Sequence, residues 1–161
     1  MSNLRVGDLM TSDVFAVAPD ETITRLQDLM SEKRIRHVPV VDDEGAVLGL
    51  VSERDVLRRT FSEDVDLPLS VRLDVLTAVK VRDIMTSEVE TVEAEEDVAT
   101  AAQVMLDNKY GCLPVVEEGV LTGIITEADF VRFVAESASA APVGQTHSVP
   151  QVSRVDRKRR G

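Results

Sequence analysis

The sequence predicts an α/β (α+β) protein made of two β-α-β-β-α repeats packed about a pseudo-two-fold axis. Three observations predict it. The first is duplication: "DLMTSDVFAV" at 8–17 returns as "DIMTSEVETV" at 83–92, and "HVPVVDDEG" returns as "CLPVVEEG" with one residue fewer. "GLVSERDVLRR" from 49 then returns as "GIITEADFVRF" from 123. Over 8–58 against 83–132, 16 of 50 aligned positions are identical, and they fall at turns and strand centres, as in two copies of one supersecondary unit. The second is that hydrophobic periodicity switches between two and 3.6 in the same order in both copies. The third is composition: 43% hydrophobic but only 3% aromatic and no Trp, so the interior must be aliphatic. A lone unit of roughly 50 residues buries too little surface to be stable, so the copies are expected to share their burial.

Each element has its own signal. "VFAVA" and "VETVE" alternate at period two and predict a short strand after "MTS". Thr22 and Asp97 are residue types that cap helices, and apolar residues follow at helical spacing: Ile23, Leu26, Leu29 and Met30, then Val98, Ala101, Ala102 and Met105. "HVPVV" and "CLPVV" read as compact strands, "DDEG" and "EEG" as hairpin turns, "VLGLV" and "LTGII" as return strands. A second helix is expected from Ser52 or Thr126. The connector is expected to be a helical extension starting near Pro68. The resulting boundaries are 1–60 for the first repeat, 61–80 for the connector, 81–137 for the second repeat and 138–161 for a disordered basic tail.

Net charge is −11, and the last eleven residues hold five basic side chains, so the folded part is more acidic still. That field repels nucleic acid from most of the surface. The "RKRR" at 157–160 is read first as a solvated terminus, and four charges support only weak, salt-sensitive attachment to an anionic partner. No apolar run approaches the ~18 residues of a membrane span, and "MSNLRVGDLM" lacks the apolar centre of a signal peptide. The single cysteine, Cys112, suits a reducing cytosol. The expectation is a cytoplasmic protein. His37 and His147 are the only histidines, too few with Cys112 for a zinc ligand set, so no metal is expected. No nucleophile elbow, Walker loop or dinucleotide fingerprint is present, and an enzyme is the least favoured class.

The repeated phrase G-x-x-[ST]-x-x-D has two readings. In one, Ser52 caps the amide of Asp55 and Asp55 reaches back to the amide of Ser52, a relative of the capping box worth about 1 kcal/mol. In the other it is a binding corner. Gly49 and Gly123 stand where a cap has no need of glycine, and lack of a side chain lets a bulky group approach the backbone. A strand running straight into a helix N-terminus is also a ready anion site.

"DLMTSDV" with "DIMTSEV", "RHVPVVD" with "GCLPVVE", and "GLVSERD" with "GIITEAD" resemble, in order and twice, the CBS domain family. Together they resemble its tandem form, the Bateman module, over roughly residues 4–135. The resemblance implies a non-catalytic regulatory or energy-sensing module with two pseudo-equivalent clefts for AMP, ADP, ATP or S-adenosylmethionine, and no required cofactor. It implies that Asp55 and Asp129 grip ribose, that Ser52 and Thr126 face phosphate, and that Thr11 and Thr86 line the clefts. Val14 and Val89, with Pro39 and Pro114, would wall the adenine. Arg36 and His37, whose second-copy counterparts include Cys112, and Arg54, whose counterpart is Ala128, favour the cleft of Ser52 and Asp55 for phosphate.

Such modules resemble disc-like homodimers. The second helices (Val56, Leu57, Phe61; Phe130, Val131, Phe133) are expected to supply the interface, and an effector protein is expected as the partner. The rival readings are a scaffold with empty clefts and a nucleic-acid-associated regulator working through the tail.

Overall fold

The computed structural model describes residues 3–61 and 67–140. In chain order the elements are α1 (Val6–Leu9), α2 (Ile23–Lys33), β1 (His37–Val41), β2 (Val47–Ser52), α3 (Glu53–Phe61) and α4 (Leu69–Ala78). There follow α5 (Val81–Ile84), β3 (Val92–Glu93), α6 (Val98–Asn108), β4 (Cys112–Glu117), β5 (Val120–Thr126) and α7 (Glu127–Ser139). The fold is mixed α+β with two equivalent halves. The tail expected to be disordered lies outside the described residues from 141 onward, and helix α7 extends through its first two positions.

The main helices start and stop as their residues dictate. Thr22 Oγ1 accepts from the amide of Arg25 at 3.3 Å, and Asp97 Oδ1 accepts from the amides of Ala99 and Thr100 at 2.8 and 3.4 Å. Ile23, Leu26 and Met30 are buried in one copy, Ala101 and Met105 in the other. Both helices end on a cation in the left-handed region: Arg34 at φ 55 and Lys109 at φ 57. That conformation normally selects glycine or asparagine, so its double use on a charged side chain marks the spot. Pro68 precedes α4 as its N-cap, where its fixed φ suits a helix start.

Two features differ from expectation. The first strand of each repeat shrinks to a single parallel bridge, Val17 with Val40, in one copy and to the two residues of β3 in the other. Period-two patterning is present, but the segment turns at once, with Val14 donating to the Ser12 carbonyl at 2.9 Å. Only its far end reaches the sheet. Each repeat also opens with an unforeseen one-turn helix, α1 or α5, too short to produce a periodic signal.

The unforeseen helices are exchanged. The amides of Val6 and Gly7 donate to the carbonyls of Glu96 and Ala94 at 2.9 Å each. Those of Val81 and Arg82 donate to Glu21 and Pro19 at 2.8 and 3.0 Å. Val6 is accordingly buried with Val92, Ala101, Met105, Leu113, Val115 and Ile125, a core otherwise wholly of the second repeat. Val81 completes the core of Val17, Leu26, Met30, Val38, Val40, Val51 and Val56 in the first. Each core is therefore finished by the leading helix of the other copy.

Val56 and Phe130, expected on an outer face, instead turn inward: Val56 is buried, and Phe130 packs against the second core. The outer apolar side chains of α3 and α7 are Leu57, Phe61, Val131, Phe133 and Val134. No described helix is long and apolar enough to cross a membrane.

Val6→Ala tests the exchange. It should cost about 1–3 kcal/mol in urea unfolding. Its amide hydrogen exchange should accelerate in β4 and β5, far along the chain, before β1 and β2.

Candidate functional site

The exchange continues into the sheets. Thr11 and Ile124 trade backbone hydrogen bonds at 2.9 and 3.0 Å, and Leu50 and Thr86 do so at 2.9 Å in both directions. The "MT" of each copy thus runs beside the return strand of the other. This explains the glycines. A Cβ on Gly49 would stand 2.7 Å from the Thr86 carbonyl oxygen and 2.8 Å from Met85 Sδ. One on Gly123 would stand 2.7 Å from Met10 Sδ and 3.0 Å from the Thr11 carbonyl oxygen. Glycine does admit a bulky group, and that group is the other repeat's backbone and methionine.

Immediately beyond each glycine strand, the carboxylate cap forms. The amide and hydroxyl of Ser52 both donate to Asp55 Oδ2 at 2.8 Å, while the Asp55 amide donates to Ser52 Oγ at 3.2 Å. Thr126 donates to Asp129 Oδ2 through its amide at 2.8 Å and its hydroxyl at 3.1 Å. The capping reading is therefore physically realised in both copies. The second oxygens differ. Asp129 Oδ1 accepts from Arg132 Nη1 at 3.0 Å and from the Thr11 hydroxyl at 3.4 Å, with the residue only 4% exposed. Asp55 Oδ1 has Arg58 at 3.9 Å, and its side chain is 21% exposed. Such partners offset the cost of burying a polar group as deeply as Asp129.

A cavity of about 310 Å³ opens between the copies. The first copy supplies Thr11, Asp13, Val14 and Phe15 from the lead-in, then Arg34, Ile35, Arg36 and His37 from the end of α2 and the start of β1. The second supplies Gly111, Ile124, Thr126, Glu127, Ala128, Asp129 and Arg132. Its lining combines the apolar side chains of Val14, Phe15, Ile35 and Ile124 with two hydroxyls, the three carboxylates of Asp13, Glu127 and Asp129, and the guanidinium groups of Arg34, Arg36 and Arg132. A second hollow of about 410 Å³ adjoins it, lined by Ser52, Glu53, Arg54, Leu57 and Lys109, and sharing Arg36, His37, Gly111 and Glu127 with the cavity.

Of the residues singled out from the sequence, Thr11, Val14, Arg36, His37, Thr126 and Asp129 meet in the cavity, while Ser52 and Arg54 meet in the hollow. Asp55, Thr86 and Val89 line neither. Pro39, Cys112 and Pro114 are buried in the strands and line neither space. The grouping also changes: Arg36 and His37 share the cavity with Asp129 as well as the hollow with Ser52. Phe15 escaped the sequence reading because alternation places it opposite Val14, and the broken strand lets both border the cavity. Arg132 had a signal, its position three residues beyond Asp129 on one helix face.

His37 is part-buried, and burial, followed by the Arg36 guanidinium, pushes its pKa below the usual 6.5; Glu127 and Asp55 pull the other way. Burial pushes the Cys112 thiol up to about 12, so it stays an inert core thiol. Among the described residues no group of three or more His, Cys, Asp or Glu side chains could hold a metal.

A family model for the CBS domain matches the chain twice, at residues 6–61 and 81–136. The chain belongs to the CBS domain family. Among solved structures it is similar to CBSX2 of Arabidopsis thaliana in complex with AMP, with a TM-score of 0.69 and 31% identity, covering 83% of this chain and 98% of that one. It is also similar to a putative acetoin utilization protein, AcuB, of Vibrio cholerae, with a TM-score of 0.72 and 32% identity over 84% of this chain and 93% of that one. The CBS domain-containing protein YhcV of Bacillus subtilis is 27% identical over 144 residues, covering 88% of this chain and 95% of the relative. Other relatives are longer: the chain spans 35% of an uncharacterized Methanocaldococcus jannaschii protein and 21% of an inosine-5'-monophosphate dehydrogenase of Mycobacterium bovis.

The unequal burial of the two aspartates sets an expected order of stability. Asp129→Ala strands the Thr126 amide at a buried helix start and should cost about 2–3 kcal/mol in chemical unfolding. Asp55→Ala should cost about 1–2 kcal/mol. For His37 the folded pKa is depressed, so its stabilising contribution is complete above 6.5 and is lost as pH falls through the folded value. His37→Gln should therefore flatten the decline of stability below that pH; an unchanged slope would assign the decline elsewhere.

Proposed function

We propose that this CBS pair is a non-catalytic sensor that binds an adenine nucleotide, or a related adenosyl compound, in the cavity between its repeats. The observation carrying the proposal is the convergence, in a chain of net charge −11, of an apolar wall, a helix-start carboxylate and several cations on one space. The base would lie against Val14, Phe15, Ile35 and Ile124. The ribose diol would donate to Asp129 Oδ1, displacing the long 3.4 Å contact from Thr11. The phosphate would meet Thr126, Arg36 and His37 near the N-terminus of α7, where the helix dipole favours an anion. The complex of CBSX2 with AMP, at 31% identity, supports the ligand class.

The cavity mixes side chains of both repeats, so occupancy biases how the halves sit together. This is the differential affinity that sensing requires. Leu57, Phe61, Val131 and Val134 would pair in a homodimer, with a cytoplasmic effector protein receiving the signal.

Calorimetry with AMP, ADP, ATP and S-adenosylmethionine tests the reading. Phe15→Ala should weaken the best ligand by about 1–3 kcal/mol through lost stacking, and should leave the unfolding midpoint in place. No heat at millimolar concentrations of any of the four would leave a scaffold with empty clefts.

A further inference from the structure

Phe15 is the one phenyl ring in the lining of the cavity, and it stands 41% exposed. A half-exposed aromatic side chain is a poor platform by itself, because its motion must be stopped when a ligand stacks on it. This ring is already held. The Lys33 ammonium sits over it, 5.2 Å from the centroid. Within about 6 Å a cation is drawn to the negative face of such a ring.

Lys33 itself lines neither the cavity nor the hollow, so its ammonium takes a side of the ring that the cavity does not use. The local chain explains how. Lys33 is the last residue of α2, and Arg34 then enters the left-handed region at φ 55. That turn parts Lys33 from Arg34, Ile35, Arg36 and His37, all of which line the cavity. The Glu32 carboxylate also meets the ammonium, at 3.3 Å, but so exposed an ion pair is weak in water. A base stacked on the free face would shield the lysine–ring pair from water, and such pairs strengthen when desolvated. The other repeat has neither member. Glu90 stands at the place of Phe15 and Asn108 at that of Lys33, and the Asn108 amide turns back to donate to the Val104 carbonyl at 2.9 Å. Ring and cation are present together in one copy and absent together from the other.

We propose that Lys33 is a positioning residue of the binding site: it holds Phe15 by one face so that the opposite face is presented to a nucleobase. The proposal rests on the nucleoside reading of the cavity. Lys33 touches no part of the ligand and acts through the ring alone. The phosphate does not need it, because Arg34, Arg36 and Arg132 stand in the lining itself.

Calorimetry on the full chain with AMP and adenosine tests this, adenosine carrying the base without the charge. Lys33→Met keeps the aliphatic stem and removes the cation. It should weaken both ligands equally, by about three- to tenfold, and leave the unfolding midpoint in place. Lys33→Arg keeps a cation over the ring and should stay within about twofold of the wild type. In a Phe15→Leu background, Lys33→Met should have no further effect, because the ring it holds is gone. A loss confined to AMP would make Lys33 a charge for the phosphate instead. That result, an unchanged affinity for both ligands, failure of the arginine to rescue, or an equal loss in the Phe15→Leu background would overturn the brace and leave the cavity reading standing. A wild-type chain that binds neither AMP nor adenosine removes the cavity reading and the brace together.

Discussion

The structure depends on the close approach of two backbones at Gly49 and Gly123. Where the lead-in of one repeat lies beside the return strand of the other, the Thr86 carbonyl oxygen sits 2.7 Å from where a Gly49 Cβ would be. Any side chain there would push the lead-ins out and break the reciprocal bonds of Thr11 with Ile124 and Leu50 with Thr86. With those bonds would go the seating of α1 and α5, and hence Val6 and Val81 as the last members of the two cores. The repeats are thus contiguous in sequence but interleaved in space. Neither completes its own interior alone, as expected for units of this size.

Interleaving also builds the cavity. Val14 and Phe15 follow Thr11 by three and four residues, so fixing Thr11 against β5 brings these apolar side chains of the first repeat opposite the helix start of the second. The carboxylate at that start has two roles on two oxygens. Asp129 Oδ2 is fully occupied by the amide and hydroxyl of Thr126, which holds the helix. Its Oδ1 has one firm partner, Arg132, and one long contact to Thr11. The capping and binding readings of the repeated phrase are therefore compatible at this site, because one oxygen caps while the other faces the cavity. Reach-back of this kind is general in the chain. Asp8 and Asp83 do the same for α1 and α5, accepting from the amides of Arg5 and Lys80 at 2.8 and 2.9 Å.

The periodic and local features were readable from residues alone. The duplication, the N-caps at Thr22 and Asp97, the hairpins and the helix start at Pro68 each have a signal confined to a few neighbouring positions. What escaped is non-local. Nothing in the spacing of "MTS" says that it pairs with the other copy. The four-residue helices carry no period, and the purpose of a glycine is invisible until the atom it makes room for is known. Pro39, Pro114 and Cys112 lie in β1 and β4, where consecutive residues are buried, so no alternation in the sequence marks which of them would face a cleft.

Two clefts related by a pseudo-two-fold axis share their inner walls, and that geometry constrains how a duplicated site can diverge. A substitution near the axis, such as arginine at 36 opposite glycine at 111, acts on both clefts at once: it fills one and reaches toward the other. A substitution far from the axis, such as phenylalanine at 15 against glutamate at 90, acts on one cleft alone. This chain carries both kinds: Arg36 and Gly111 line the cavity and the hollow alike, whereas Phe15 lines the cavity alone.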